Sequence, residues 1–280
     1  MAIKAIVLDI DGTLTNSKKV ITPKTKEALL KAQEKGVILM LASGRPAKGL
    51  MRYAHELEMD KNNGLLVCFN GARVENATTG EVLFNQGMSV EEGKAVLEHL
   101  KKFPGARPMI DKKEYMYVND VFDCFINYKN EKFNVMQYEA RNNGYILCEK
   151  EDLAAFADYE INKILTYGDP EYLQAHYEEM SAPFVGKLNM MFTSDFYYEY
   201  TAQGIDKAKA LDSVIHHYGI EKEELMAFGD AQNDKTMVMY SGVGVAMANA
   251  TDELKGVADY ITLSNEEDGI AYALEQFKVI

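Results

Sequence analysis

Residues 3–8 form a nearly unbroken apolar run, the pattern of a strand buried on both faces of a parallel sheet. Thr22-Pro23 then supplies an N-cap with proline at the first helical position. Apolar residues follow at Ala28, Leu29 and Ala32, and Gly36 sits where that helix should stop. Residues 37–42 predict a second buried strand, Pro46 opens a helix to about residue 59, and residues 65–69 predict a third strand. The last ninety or so residues repeat the idiom. A helix over 207–218 ends at Gly219, a strand follows over 225–228, and a short helix after Asp234 stops near Gly242. Residues 243–247 and 260–262 predict short strands, and 266–277 a closing helix. Strands and helices alternating at this spacing predict an α/β fold with a doubly wound parallel sheet.

The middle of the chain breaks the pattern. It is rich in tyrosine and phenylalanine, as in Tyr115-Met116-Tyr117, and its apolar runs are less regular. This predicts a separate α+β domain over residues 84–190, inserted between the two halves, 1–83 and 191–280, of the α/β core. Two domains also suit the length, 280 residues.

Charge narrows the function classes. Lys and Arg number 30 against 43 Asp and Glu, a net −13. That field repels phosphate backbones and anionic lipid, so neither nucleic acid nor a membrane surface is the expected partner. A small phosphorylated ligand would need a local cation or helix N-termini to draw it in. No basic leader precedes the first apolar run, and no apolar stretch is long enough to span a bilayer. Three cysteines, Cys68, Cys124 and Cys148, make an odd, widely spaced set. The expectation is a reduced, cytoplasmic protein, a monomer or homodimer.

The chemistry-bearing residues cluster where strands should end. Asp9-Ile10-Asp11-Gly12-Thr13 follows the first strand, placing two carboxylates two residues apart at the edge where open α/β sheets bind ligands. Gly12 permits a sharp turn. Two such carboxylates cannot both ionise cheaply without a cation, and a hard ion such as Mg²⁺ prefers oxygen ligands. The plainer alternative is an aspartate-rich turn. Gly229-Asp230-Ala231-Gln232-Asn233-Asp234 follows the strand over 225–228 and could converge on the same ion, although these are common turn formers. Ser43-Gly44-Arg45-Pro46 offers a hydroxyl and main-chain N–H groups to a phosphate, or else an ordinary N-cap. Lys207, at a helix start, is either a solvated surface charge or the positive group a phosphate pocket requires. His216-His217 lack metal-ligand spacing and read as structural.

In that order these four segments resemble the haloacid dehalogenase-like hydrolases. The long gap between the second and third motifs is similar to that of the Cof-type sugar-phosphatase branch, where a large cap domain sits. Asn70-Gly71-Ala72 resembles the segment leading into that cap, and residues 193–200 with 204–211 the segment leading out. Ala208 departs from the glycine that many relatives carry after the lysine. The resemblance implies a Mg²⁺-dependent phosphatase acting on small phosphorylated metabolites, sugar phosphates above all. Asp9 would become an aspartyl phosphate, and Asp11 would protonate the leaving oxygen and then deprotonate water. It further implies Mg²⁺ held by the Asp9 carboxylate, the Asp11 main-chain carbonyl and the Asp230 carboxylate. Ser43, Gly44, Lys207 and Asn233 would bind phosphoryl oxygens, with Asp234 in support. A phosphomutase, a receiver-like regulatory domain and a non-catalytic binding protein are the rival readings.

Overall fold

The computed structural model describes residues 2–280. Its first strand, Ala5–Leu8, is buried at every position and pairs in parallel with Ile38–Ala42 on one side and Leu225–Gly229 on the other. A strand enclosed on all sides has no polar face to show, which is why its sequence does not alternate. The sheet has eight strands: Tyr260–Ile261, Val243–Ala246, Leu225–Gly229, Ala5–Leu8, Ile38–Ala42, Leu65–Cys68, Arg73–Asn76 and Val82–Asn85. The first six run parallel, Arg73–Asn76 turns back antiparallel to them, and Val82–Asn85 reverses again beside it. From Ala5–Leu8 the chain first builds toward one edge, and after the insertion it returns on the other side of that strand. The order therefore reverses between Ala5–Leu8 and Leu225–Gly229, whose carboxyl ends carry Asp9 and Asp230.

The helices follow from local signals. Pro23–Glu34 starts at Thr22, whose hydroxyl accepts the Thr25 N–H, and buries Thr25, Ala28, Leu29 and Ala32 on one stripe. Lys207–Ile215 is capped by Asp206, which accepts the Lys209 N–H. The expected helix over 207–218 tightens after Ile215 into a 3₁₀ turn, His216–Tyr218, which Gly219 ends in the left-handed conformation.

Residues 1–85 with 206–280 form one compact unit, and 86–205 a second. The second holds a mixed six-stranded sheet with helices and a two-stranded hairpin, Phe125–Tyr128 with Glu131–Asn134. One sheet face packs Ile110, Ile164, Tyr198 and Tyr200, and the other Met109, Leu165, Tyr167 and Tyr197. The expected boundary at 190/191 falls inside the strand Leu188–Ser194, which pairs with Tyr197–Ala202. Residues 191–205 thus belong to the second unit, because that hairpin completes its sheet. Among the described residues no helix is long and apolar enough to cross a membrane.

Candidate active site

Lys207, at a helix start and placed by the resemblance among the phosphate-binding residues, is fully buried. Its ammonium donates to Asp9 Oδ1 (2.9 Å), Asp234 Oδ1 (2.6 Å) and the Ala42 carbonyl (2.8 Å). An ammonium has three donors, and all three are used, which is what lets a buried lysine stay charged. Burial alone would push it toward neutrality, but Asp9 and Asp234 hold its pKa above the ordinary value. The reading as a solvated surface charge is corrected.

Asp9 is buried just past the first strand, its N–H donating to the Phe228 carbonyl (3.1 Å). Burial, and then the charge of Asp234, push its carboxyl up to about 8 despite Lys207. Asp230 is pushed up to about 6, by burial first, with the Thr13 hydroxyl (2.8 Å) pulling the other way. Gly12 makes the approach possible. It sits at φ +89°, and a Cβ there would lie 2.4 Å from Asp230 Oδ2. The Asn249 side chain holds the Gly12 carbonyl at 2.8 Å.

Asp9, Asp230 and Asp234 bring carboxylate oxygens within 4.8 Å of one another. Three acids against a single lysine leave a deficit of positive charge, and the donors are all hard oxygens, so the residues fit a divalent cation such as Mg²⁺. Asp234 is the least suited of the three to touch an ion. Lys207 takes its Oδ1, and the N–H groups of Asp230 and Ala231 take its Oδ2, both at 3.0 Å. It orients the others.

The Asp11 carboxylate is not part of that group, although it lies two residues from Asp9 at the same strand end. Arg45 donates from Nε to Oδ2 (3.1 Å) and from Nη2 to Oδ1 (2.9 Å) and Oδ2 (2.7 Å). Lys19 Nζ reaches Oδ1 at 2.6 Å. Burial pushes the Asp11 carboxyl up, but these hydrogen bonds and charges outweigh it and hold the group below the ordinary carboxylate value. Environment therefore drives the Asp9 and Asp11 carboxyls apart in acidity, a recurring mark of groups with different roles.

Ser43 does not cap a helix. Its hydroxyl accepts the Arg45 N–H (3.3 Å), and the helix Ala47–Glu56 begins at Pro46 with no side-chain cap. The Ser43 carbonyl accepts the Asn70 N–H at 2.9 Å. Gly44 lies against Asn70, where a Cβ would be 3.1 Å from Nδ2. Asn233 Nδ2 donates to Asn70 Oδ1 at 3.2 Å. Asn70 thus joins two segments predicted separately. Phe69 and Asn70 both have positive φ, 51° and 57°, a conformation costly for phenylalanine and typical of functional turns. Arg45, Lys19, Thr13 and Asn70 were not among the predicted site residues. An asparagine before Gly71 in the turn after a buried strand was the available signal for Asn70. His216 and His217 are exposed, His216 lying near Asp212 and Glu221, in keeping with a structural reading.

Carboxylates converging at a topological switch, with a buried lysine among them, mark an α/β enzyme of phosphoryl chemistry. A family model of the haloacid dehalogenase-like hydrolases matches residues 6–274, and the chain belongs to that family. The 5-amino-6-(5-phospho-D-ribitylamino)uracil phosphatase YcsE of Bacillus subtilis is 29% identical over 277 residues, 98% of this chain and 96% of its own. A haloacid dehalogenase-like hydrolase of Bacteroides thetaiotaomicron is 34% identical with a TM-score of 0.89, covering 98% of this chain and 99% of its own. The subclass IIB sugar phosphatase BT4131 is 27% identical with a TM-score of 0.76, over 99% of this chain and 100% of its own. The chain is a phosphatase of this fold.

Proposed function

We propose that the chain hydrolyses sugar phosphates in a Mg²⁺-dependent reaction that passes through an aspartyl phosphate on Asp9. The observation that carries this is the buried Asp9 carboxyl, pinned by Lys207 beside Asp230 and Asp234. Lys207 neutralises one Asp9 oxygen, so the carboxylate can approach an anionic phosphoryl group. An Asp9 oxygen attacks phosphorus, and the bond to the leaving oxygen breaks with its electron pair going to that oxygen. Asp11, held below the ordinary carboxylate value while Arg45 and Lys19 bind it, would take up a proton with the substrate, supply it to the leaving oxygen, and then accept one from the water that hydrolyses the intermediate. The Asp9 and Asp230 carboxylates and the Asp11 carbonyl are the groups that would hold Mg²⁺. When bound, the ion supplies positive charge against the phosphoryl oxygens. Ser43, Gly44 and Asn233, gathered around Asn70, would bind those oxygens through N–H and hydroxyl groups. Because all three Lys207 donors are engaged, a phosphoryl oxygen must share or replace one of its partners. Residues 86–205 would choose the leaving group as a cap. The relative named a sugar phosphatase supports the substrate class, and three free cysteines suit a reducing cytoplasm.

The test is phosphate release over a panel of sugar phosphates, nucleotides and phosphorylated cofactors, with Mg²⁺ and with excess chelator. Release from sugar phosphates that vanishes in chelator is expected. Full activity in chelator would contradict the metal assignment, and an isomeric sugar phosphate in place of free phosphate would indicate a mutase.

A further inference from the structure

The turn that carries Asp11 is tied down from near the other end of the chain. Within it, the Leu14 N–H donates to the Asp9 carbonyl (3.1 Å) and the Thr15 N–H to the Ile10 carbonyl (3.0 Å), while Thr15 is bridged to Asp11 across the turn. Two of its carbonyls are held by asparagines 237 and 250 positions away. Asn249 Nδ2 donates to the Gly12 carbonyl and Asn265 Nδ2 to the Thr15 carbonyl, both at 2.8 Å. The two asparagines are also joined to each other, since the Asn265 N–H donates to Asn249 Oδ1 at 3.1 Å. That bond fixes which way the Asn249 amide faces and aims its donor at Gly12. The segment around Asn249 holds a second strand end as well. The Met247 N–H donates to the Gly229 carbonyl (3.0 Å) and the Thr251 N–H to the Asp230 carbonyl (2.9 Å). Residues 247–251 thus set the Gly12 turn and Asp230 in one frame, across the gap that Thr13 closes with its hydroxyl on Asp230.

We propose that Asn249 and Asn265 are positioning residues, a two-amide strap that holds the 11–15 turn in register with Asp230 for phosphoryl transfer. This rests on the roles of Asp9, Asp11 and Asp230 given above. Asn249 is exposed and Asn265 half-buried. Hydrogen bonds in such places add little to global stability, because water competes for them, and what they restrict is local opening. Both side chains are neutral amides, so the strap brings no charge to the site and acts on geometry alone. Geometry is enough to matter, since a misplacement of about 1 Å in a reacting constellation can cost about 10²-fold in rate. Cutting the strap should therefore loosen the turn and slow turnover while the fold stays intact.

The test uses full-length Asn249→Ala, Asn249→Gln, Asn265→Ala and the Asn249→Ala/Asn265→Ala double variant. Kinetics are read with Mg²⁺ and p-nitrophenyl phosphate, and amide hydrogen exchange by mass spectrometry on metal-free protein. Each alanine variant should lower kcat about 10–100-fold with KM within about twofold of wild type, as loss of an interaction that matters only in the transition state does. Tm should fall by no more than about 4 °C. Peptides covering residues 10–16 should exchange faster, and those covering the strand Ile38–Ala42 should not change. Asn249→Gln, which keeps the donor, should recover part of the rate. The double variant should lose less than the product of the two single losses, since a strap cut at one end is already slack. Faster exchange at unchanged kcat would make the strap merely structural and overturn the inference. So would a lowered kcat without faster exchange, or a fully multiplicative double loss. Substantial turnover by Asp9→Asn would instead overturn the parent reading of the site.

Discussion

The two compact units bury polar groups in opposite ways. In residues 86–205 several buried or part-buried polar groups meet partners that offset them. Lys163 pairs with Glu199 at 3.0 Å, the Tyr167 hydroxyl donates to the Asp123 carbonyl at 2.7 Å, and Tyr198 meets Ser181 at 2.6 Å. In the other unit Asp9, Asp230 and Asp234 crowd around Lys207 alone. Matched burial keeps a fold specific and satisfied. Unmatched burial works against stability and persists where a missing charge completes the set, which under the proposed function is a cation and a phosphoryl group. The proposed chemistry lies in the unit whose charges do not balance.

The sharpest way to break that contrast is to neutralise one charged group in each unit. Asp9→Asn should cut turnover by about 10⁴-fold or more, as loss of a nucleophile does, with the fold intact by circular dichroism. Lys163→Met should do the reverse, lowering Tm while kcat stays near wild type. A Lys163→Met enzyme that folds normally and loses kcat would put chemistry in the second unit. Next in size is Lys207→Met. It leaves Asp9 and Asp234 buried without their cation, so denaturant melts should show a loss of about 3–5 kcal/mol together with loss of turnover. A neutral effect on stability would mean that the lysine is not the group holding these acids.

A smaller effect should appear in pH dependence. Asp9 and Asp230 are raised from 3.8 to about 8 and about 6 without a divalent ion. The folded state then binds protons more tightly than the unfolded chain. Their contribution is complete below pH ~4 and is lost as pH rises through about 6 and about 8. Chelated protein should therefore lose Tm between pH 5 and pH 8, and Mg²⁺ should raise Tm more at pH 8 than at pH 5. A Tm that climbs with pH in chelator would contradict the burial of unpaired acid.

Much of this was legible in sequence because the core strands are continuous apolar runs that stop abruptly at Asp9, Ser43 and Gly229-Asp230. Period and punctuation coincide there, so the strand ends and their acids could be read together. The partners could not. Arg45 reaches Asp11 from a loop 34 positions away, and Lys207 reaches Asp9 from 198 away. Nothing local in either residue signals that meeting. Legibility also fails at the return from the insertion, where Tyr197–Ala202 reads as Tyr-Tyr-Glu-Tyr-Thr-Ala. Aromatic residues packed on both faces of a mixed sheet erase the period-2 alternation, so where the second unit ends depends on its pairing with Leu188–Ser194.

The central claim is that Asp9 carries the phosphoryl group. Its most direct test is acid quench of Asp11→Asn during turnover of an aryl phosphate, followed by peptide mass mapping. The account predicts one phosphoryl group, labile to hydroxylamine, on the peptide holding Asp9 and absent from Asp9→Asn. A phosphoryl group on another residue, or none at any quench time while product forms, would contradict it.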